Sequence, residues 1–241
     1  MTETPRTGGA ELPSRRLTTV PRRAIAFLRT HGVRATLRKM RAHVDNSVFD
    51  RRYGVASDQW VAVTDLAVVG DNQDLGANCQ PIKPLAFKAA MDAFQVPRDG
   101  VFVDFGSGAG RALMLAAQAG FHRLVGVEFA TDVCDVAERN LDTFRAKAGV
   151  EFEYRILNLD ATDYVVDDDD RVFFLYNPFD RPVLDAVLAN IRRSYESSPR
   201  PIHLVYGRPL QRQALDDDPF WIAVDETDTG GLEDFVHYRP R

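Results

Sequence analysis

Val101 to Arg111 reads VFVDFGSGAGR, and this stretch decides the fold. An apolar run ends in an acidic residue, three glycines follow at every second position, and ALMLAAQA then has the composition of a helix. That order describes a buried strand turning tightly into a helix. Glycine permits positive φ and removes the Cβ that would hold a ligand away from the backbone. The N–H groups of the helix start face the same spot, so the turn is built for a ligand that touches main chain.

Working downstream, Arg123 to Glu128 (RLVGVE) reads as a second strand ending in a carboxylate, and Thr131 to Ala148 as a helix with Val133, Val136, Ala137, Leu141 and Phe144 inward. Glu151 to Leu157 is a third strand, and Arg171 to Tyr176 (RVFFLY) a fourth, buried on both faces and running into Asn177-Pro178-Phe179. A helix over Pro182 to Ser194 and a strand over Ile202 to Tyr206 continue the alternation. Such an alternation implies a parallel sheet with helices on both faces. Phe220 to Val224 and Glu233 to Tyr238, separated by Thr-Gly-Gly, read as a terminal antiparallel hairpin.

Upstream, LAFKAAMDAF is an amphipathic helix that ends before the turn Val96-Pro97-Arg98-Asp99-Gly100. Residues 71–80 read as a polar loop. From Pro21 to Val44, Ile25, Leu28, Val33, Leu37 and Met40 recur near helical spacing among arginines, with Gly32 dividing the stretch into two short helices. Residues 46–70, with Phe49, Tyr53 and Trp60, form an irregular lead-in whose aromatics either pack on the domain or line a substrate entrance. Residues 1–19 have no periodicity and read as a mobile tail. The expected organisation is therefore a tail over 1–19, a basic helical and irregular extension over 20–80, and an α/β domain over 81–241.

The chain has 241 residues, 45% of them hydrophobic and 27% charged, which suits a globular protein with one good core. No apolar run approaches the roughly 20 residues of a membrane span. Ser14-Arg15-Arg16 carries a twin arginine, but no apolar core follows it, so export is not expected. Cys79 and Cys134 lack metal or disulfide-framework spacing, which fits a reducing cytoplasm.

Charge is divided unevenly. Residues 1–52 hold 12 Lys+Arg against 4 Asp+Glu, whereas the rest holds 18 against 31. The basic arm either lies on its own acidic domain or recruits an acidic partner, anionic lipid or nucleic acid. The five histidines show no ligand spacing, so no metal is expected. His203 or Tyr206 could reach a pocket as a base. The run Asp167 to Asp170 lacks the alternation of a calcium loop and reads as a solvated turn.

In an open parallel sheet, ligands sit at the carboxyl ends of the strands. Four such ends carry suggestive residues: Asp104 with the glycine turn, Glu128, Asp160-Ala161 and Asn177-Pro178-Phe179. Glu128 lies where a carboxylate can accept two hydrogen bonds from a ribose diol, and Asp160 is placed for an adenine amino group. GxGxG spacing, rather than GxGxxG, departs from the dinucleotide fingerprint.

Over residues 80 to 241 the chain resembles the class I S-adenosylmethionine-dependent methyltransferases, through DFGSGAG, VGVE, LDAT and NPF. The DFGSG form with Arg111 also resembles the non-SET histone lysine methyltransferases and bacterial proteins sharing that motif. The resemblance implies a Rossmann-like seven-stranded, mostly parallel sheet with S-adenosyl-L-methionine as cofactor. It places Gly106, Gly108 and Gly110, with Phe105 and Ser107 between and beside them, against the methionine and ribose. Glu128 would hold the ribose hydroxyls, Phe129 would pack on adenine, and Asp160 with Ala161 would face its amine. Asp104 would orient the amino-acid end.

The acceptor is read from Asn177-Pro178-Phe179. The Asn oxygen and the carbonyl before proline can accept from an amine, proline fixes the backbone, and Phe179 can stack on a planar or cationic group. Related families carry Asn/Asp-Pro-Pro-Tyr/Phe here and methylate nitrogen. This chain has one proline, followed directly by the aromatic. Nitrogen is favoured over oxygen, with a small molecule or peptide as acceptor ahead of nucleic acid. The alternatives are a nicotinamide-dependent oxidoreductase, which Glu128 would serve equally, and a non-catalytic cofactor-binding module with a recruiting arm. A strand-end turn with Phe179 in the core is the plain structural reading of the same motif.

Overall fold

A computed structural model describes residues 32–33, 36–37, 44–45, 48–58, 81–228 and 233–241. The expected tail, most of the basic helical stretch, the lead-in beyond residue 58, Trp60, Cys79 and the loop at 71–80 lie outside the described residues. The chain divides into two compact units, Met1–Leu37 and Arg38–Arg241. The architecture that follows is that of the second.

Its elements alternate as the apolar patterning requires: α1 (Pro84–Phe94), β1 (Val101–Phe105), α2 (Arg111–Gln118), β2 (Arg123–Glu128), α3 (Thr131–Ala148), β3 (Glu153–Asn158), β4 (Asp170–Tyr176), α4 (Arg181–Ser197), β5 (His203–Gly207), α5 (Gln213–Asp216), β6 (Trp221–Asp228) and β7 (Asp234–Pro240). A 3-10 turn, Ala161–Asp163, follows β3. The seven strands form one sheet in the order β3-β2-β1-β4-β5-β7-β6. β1 pairs in parallel with both β2 and β4, and β5 pairs in parallel with β4. β7 runs antiparallel to β5 and β6. The expected mostly parallel sheet with a terminal antiparallel hairpin is the one observed.

Strand alternation splits the core between two faces. Phe102, Val172, Phe174 and Val205 pack on one side with α1, α2, α3 and residues 49–55. Val103, Phe105, Phe173, Leu175 and Leu204 pack on the other with α4 and Trp221. Both faces of β1 and β4 are therefore covered, which explains why these strands read as continuous apolar runs. In α3 the inner face is Val133, Cys134, Ala137, Asn140, Leu141 and Phe144, whereas Val136 is only half-buried. Sequence spacing had placed Val136 inward, but α3 turns Cys134 and Asn140 to the core instead. Among the described residues no helix is long and apolar enough to cross a membrane.

The sheet order reverses between β1 and β4, because the chain leaves β1 toward β2 and β3 and then returns to β4 on the other side. Crossovers that diverge in this way leave a crevice at the carboxyl ends of the two strands. The glycine turn and Asn177-Pro178 stand at that crevice.

Candidate functional site

The glycine turn begins where β1 ends. Gly106, Gly108 and Gly110 have φ of +71°, +52° and +81°, conformations that a side chain strains. Each serves a different purpose. A Cβ on Gly106 would stand 2.5 Å from the Cβ of Pro178, so this glycine lets the cofactor-side turn touch the loop after β4. A Cβ on Gly110 would meet Ala137 and Leu141 at 3.5 Å, ordinary contact with α3. A Cβ on Gly108 would meet nothing within 4 Å among the described residues, which leave space open beside this glycine.

The amides of the turn are largely used within the protein. Gly106 and Ser107 N–H donate to the Val127 carbonyl at 2.9 and 3.1 Å, and Gly110 N–H to the Ser107 carbonyl at 2.9 Å. Gly108 N–H donates to Glu128 Oε2 at 2.9 Å. The expectation that the turn offers its own N–H groups to a ligand is corrected at these positions. The turn closes on the end of β2, and buried amides take the nearest acceptor. What it offers instead is the carboxyl it holds and the space that the described residues leave at Gly108.

Glu128 is buried, 2% exposed, and its Oε1 accepts from Ala130 N–H at 3.0 Å. Burial raises its pKa, while backbone N–H groups of Ala130, Gly108 and Phe129 pull it down. Asp104, 3% exposed, has its pKa raised well above the usual range, first by burial and then by the Glu128 charge. Two buried carboxyls this close share their protons unequally. Backbone N–H groups of Gly108 and Ala130 favour the charged form of Glu128, whereas burial and the Glu128 charge both favour the neutral form of Asp104. Ser107 Oγ is buried with no hydrogen-bond partner, against the position where a Cβ of Gly126 would lie.

A narrow cleft of about 40 Å³ is lined by Gly106, Val127, Phe129, Leu159, Asp160, Ala161, Pro178, Phe179 and Val183. Asp160 Oδ1 accepts from both Thr162 N–H and Thr162 Oγ1, at 2.9 and 2.7 Å, which caps the 3-10 turn and holds the loop after β3. Phe129 and Ala161 are half-buried on the rim. Phe105 is placed differently from a cofactor-facing side chain. Its ring lies in the core against Tyr164 and Phe173, so only its backbone can serve the site. Phe179 is 7% exposed and belongs to the core under α4 while lining the cleft with one edge.

Asn177 follows β4 with φ +47°, and Arg208 follows the neighbouring β5 with φ +48°. Left-handed backbone at a side-chain-bearing residue costs about 1 to 3 kcal/mol and clusters at functional sites. Tyr206 Oη makes a long contact, 3.5 Å, with Asn177 Oδ1 and accepts from Gln211 N–H at 3.4 Å. Lys83, at the start of α1, pairs with Glu233 at 3.0 Å beside β7. Burial and Glu233 push the Tyr176 hydroxyl upward, so it stays protonated. Glu233 and Arg208 thus face the hydroxyl of Tyr176, the residue before Asn177, with Lys83 paired to Glu233, and the sequence reading does not single these four out.

His203 does not belong to the site. It opens β5 at the opposite end of the sheet, where its Nδ1 lies 2.9 Å from His237 Nε2 in a buried stacked pair. Among the described residues no group of three or more His, Cys, Asp or Glu is placed to hold a metal ion.

Comparison with known proteins follows the same lines. The family model "Histone methylation protein DOT1" matches residues 82–170, which spans α1 to the start of β4 and less than half of the chain. None of the curated proteins compared with the chain matches it. Among solved structures, an S-adenosylmethionine-dependent methyltransferase from Aquifex aeolicus superposes with a TM-score of 0.51 at 12% identity, covering 64% of this chain and 89% of its own. A putative methyltransferase, yhhF, from Escherichia coli gives 0.49 at 16% identity over 66% and 85%. Magnesium protoporphyrin IX methyltransferase from Synechocystis gives 0.48 at 12% over 65% and 76%. At such identities the Aquifex likeness establishes the fold, and the two below 0.5 are recorded without further weight.

Proposed function

We propose that this chain is an S-adenosylmethionine-dependent methyltransferase acting on a nitrogen of a small-molecule or peptide acceptor. The observation that carries the reading is the pairing of a buried Glu128 carboxyl, locked by Gly108 N–H, with space left open over Gly108 by the described residues and a cleft bordered by Phe129, Asp160 and Pro178. The DOT1 model match over 82–170 supports the same class.

The residues present suit the cofactor. Glu128 is held by backbone donors, leaving the outer lone pairs of its carboxylate for a vicinal diol. The half-buried ring of Phe129 and the Leu159 to Ala161 loop offer a slot for a flat heterocycle. Asp104, as a neutral acid, can donate a hydrogen bond toward the amino-acid end.

Bound S-adenosylmethionine supplies a sulfonium methyl carbon open to in-line attack. The chain's own work is alignment and exclusion of water, with the lone pair of the acceptor held at about 3 Å. Asn177 Oδ1 and its backbone carbonyl accept from an amine, and Pro178 fixes the backbone that carries them. Tyr206 Oη steadies the Asn177 amide.

Isothermal titration with S-adenosylmethionine, S-adenosylhomocysteine and NAD tests the assignment. Micromolar binding of the first two is expected; binding of NAD alone would replace this reading with the nicotinamide one. The basic arm of residues 1–52 is proposed to act on substrate capture rather than recruitment, and removal of residues 1–43, which stops short of the segment around Asp50, should leave cofactor affinity unchanged. We place the enzyme in the cytoplasm on cysteine usage.

A further inference from the structure

Arg111 is a costly residue where it stands. It opens α2, where the helix dipole disfavours a cation, and it is 3% exposed. Its compensation comes from outside the α/β domain proper. Arg111 Nη2 donates to Asp50 Oδ1 at 2.7 Å, its Nε donates to Ser57 Oγ at 3.0 Å, and Asp58 lies at 3.9 Å. Asp50 also receives Ser57 Oγ–H on Oδ1, and Ser57 and Asp58 N–H on Oδ2, all at 2.7 to 2.8 Å.

A second bridge joins the same segment to the same turn. Asn140, buried on α3, donates through Nδ2 to the Ala109 carbonyl at 2.9 Å and the Ala56 carbonyl at 3.2 Å, and accepts from Ala56 N–H at 2.9 Å. Phe49 and Tyr53 anchor the segment on Phe144, and Gln118 donates to Tyr53 Oη at 2.7 Å. The Arg111 guanidinium lies 5.2 Å from the Phe49 ring centroid. The glycine turn is thus gripped at residue 109 and at residue 111, one on each side of Gly110.

We propose that residues 48–58 are a clamp on the cofactor turn, with Asp50, Ser57 and Asn140 as positioning residues that set cofactor affinity without touching cofactor. A turn with three left-handed glycines has much freedom to lose, and a ligand that must order it binds more weakly. Two polar bridges order it beforehand. They run through residues outside the 82–170 family match, or, for Asn140, through a side chain whose partner lies outside it. The ligand half of this proposal rests on the cofactor reading above; the clamp itself does not.

Hydrogen exchange measured on the full chain without ligand tests the clamp. Asp50→Asn is expected to speed exchange across residues 106–114 at least tenfold. Ile191→Ala, in the opposite core, serves as a control that destabilises the protein without touching the clamp. Titration with S-adenosylhomocysteine is expected to show about tenfold weaker binding for Asp50→Asn and unchanged binding for Ile191→Ala. If Asp50→Asn does not fold, Ser57→Ala carries the same test with about a threefold effect. Turn exchange in the clamp variant no faster than in the control would overturn the proposal. Failure of the wild-type protein to bind S-adenosylhomocysteine would overturn the cofactor reading, leaving the exchange result to decide the clamp.

Discussion

Gly108→Ala separates a residue needed by the fold from one needed by the ligand. At Gly108 the added methyl meets no atom of the described residues within 4 Å, so the cost is that of a side chain at φ +52°. That cost is about 1 kcal/mol, partly offset by the lower entropy of the unfolded alanine chain. Net destabilisation should stay under about 1 kcal/mol, and the melting temperature should fall by no more than about 4 °C. Gly106→Ala makes the comparison. Its methyl would stand 2.5 Å from Pro178 Cβ, more than 1 Å inside contact distance, so overpacking of about 1 to 3 kcal/mol adds to the same backbone term. Gly106→Ala should therefore melt clearly lower than Gly108→Ala. Affinity should behave in the opposite sense relative to stability. The methyl of Gly108→Ala occupies the space beside Glu128 and should weaken S-adenosylhomocysteine binding at least tenfold, about 1.4 kcal/mol. Calorimetric titration with a parallel melt measures both. A Gly108→Ala protein that binds within twofold of wild type would show that the ligand does not lie over this turn.

Three further outcomes follow from the same geometry. Glu128→Gln keeps the shape but turns an amide toward backbone N–H groups and removes the anion; cofactor affinity should fall about 10- to 100-fold, measured by titration. Asn177→Gly relieves left-handed strain and should raise stability by about 1 kcal/mol in urea unfolding while kcat for methyl transfer falls; unchanged kcat would remove Asn177 from the acceptor site. His237 is pushed down to about 4 by burial, His203 and Arg239. A base with a depressed folded pKa leaves the unfolded state holding more protons, so its stabilisation is complete above about pH 6.5 and fades as pH drops toward 4. The fade should reach at most about 3 kcal/mol and appear as the difference between wild type and His237→Gln, because the raised Asp104 and Glu128 contribute with the opposite sign in both proteins. Parallel stability curves for the two proteins from pH 7 to 4.5 would contradict it.

Sequence carried the architecture far because β1 and β4 are covered on both faces and so print uninterrupted apolar runs, while Gly106, Gly108 and Gly110 mark the turn from β1 into α2. The residues at the crevice were legible for a related reason: strand ends place Glu128, Asp160 and Asn177 together whatever the intervening chain does. Side-chain direction was less legible. Phe105 and Phe179 read as ligand-facing from their motifs, yet parity along the strand and packing under α4 turn their rings into the core. Partnership across long separations left no local trace. Nothing in the spacing of Asp50, Ser57, Arg111 and Asn140 announces that 54 to 84 residues of chain close into polar bridges, because such pairs are set by tertiary packing. The His203–His237 pair was hidden likewise, its partners arriving from a parallel strand and an antiparallel one.

The contact between Gly106 and Pro178 makes the donor and acceptor halves of the crevice one mechanical piece. Remodelling the chain for a bulkier acceptor would start at Pro178, because shortening that ring opens volume that runs on into the space over the glycine turn. Enlarging residue 106 would drive the two loops apart and disturb both ends of the reaction at once. On the function proposed above, selectivity for the acceptor and grip on the methyl donor would be tuned together through the close approach of residues 106 and 178.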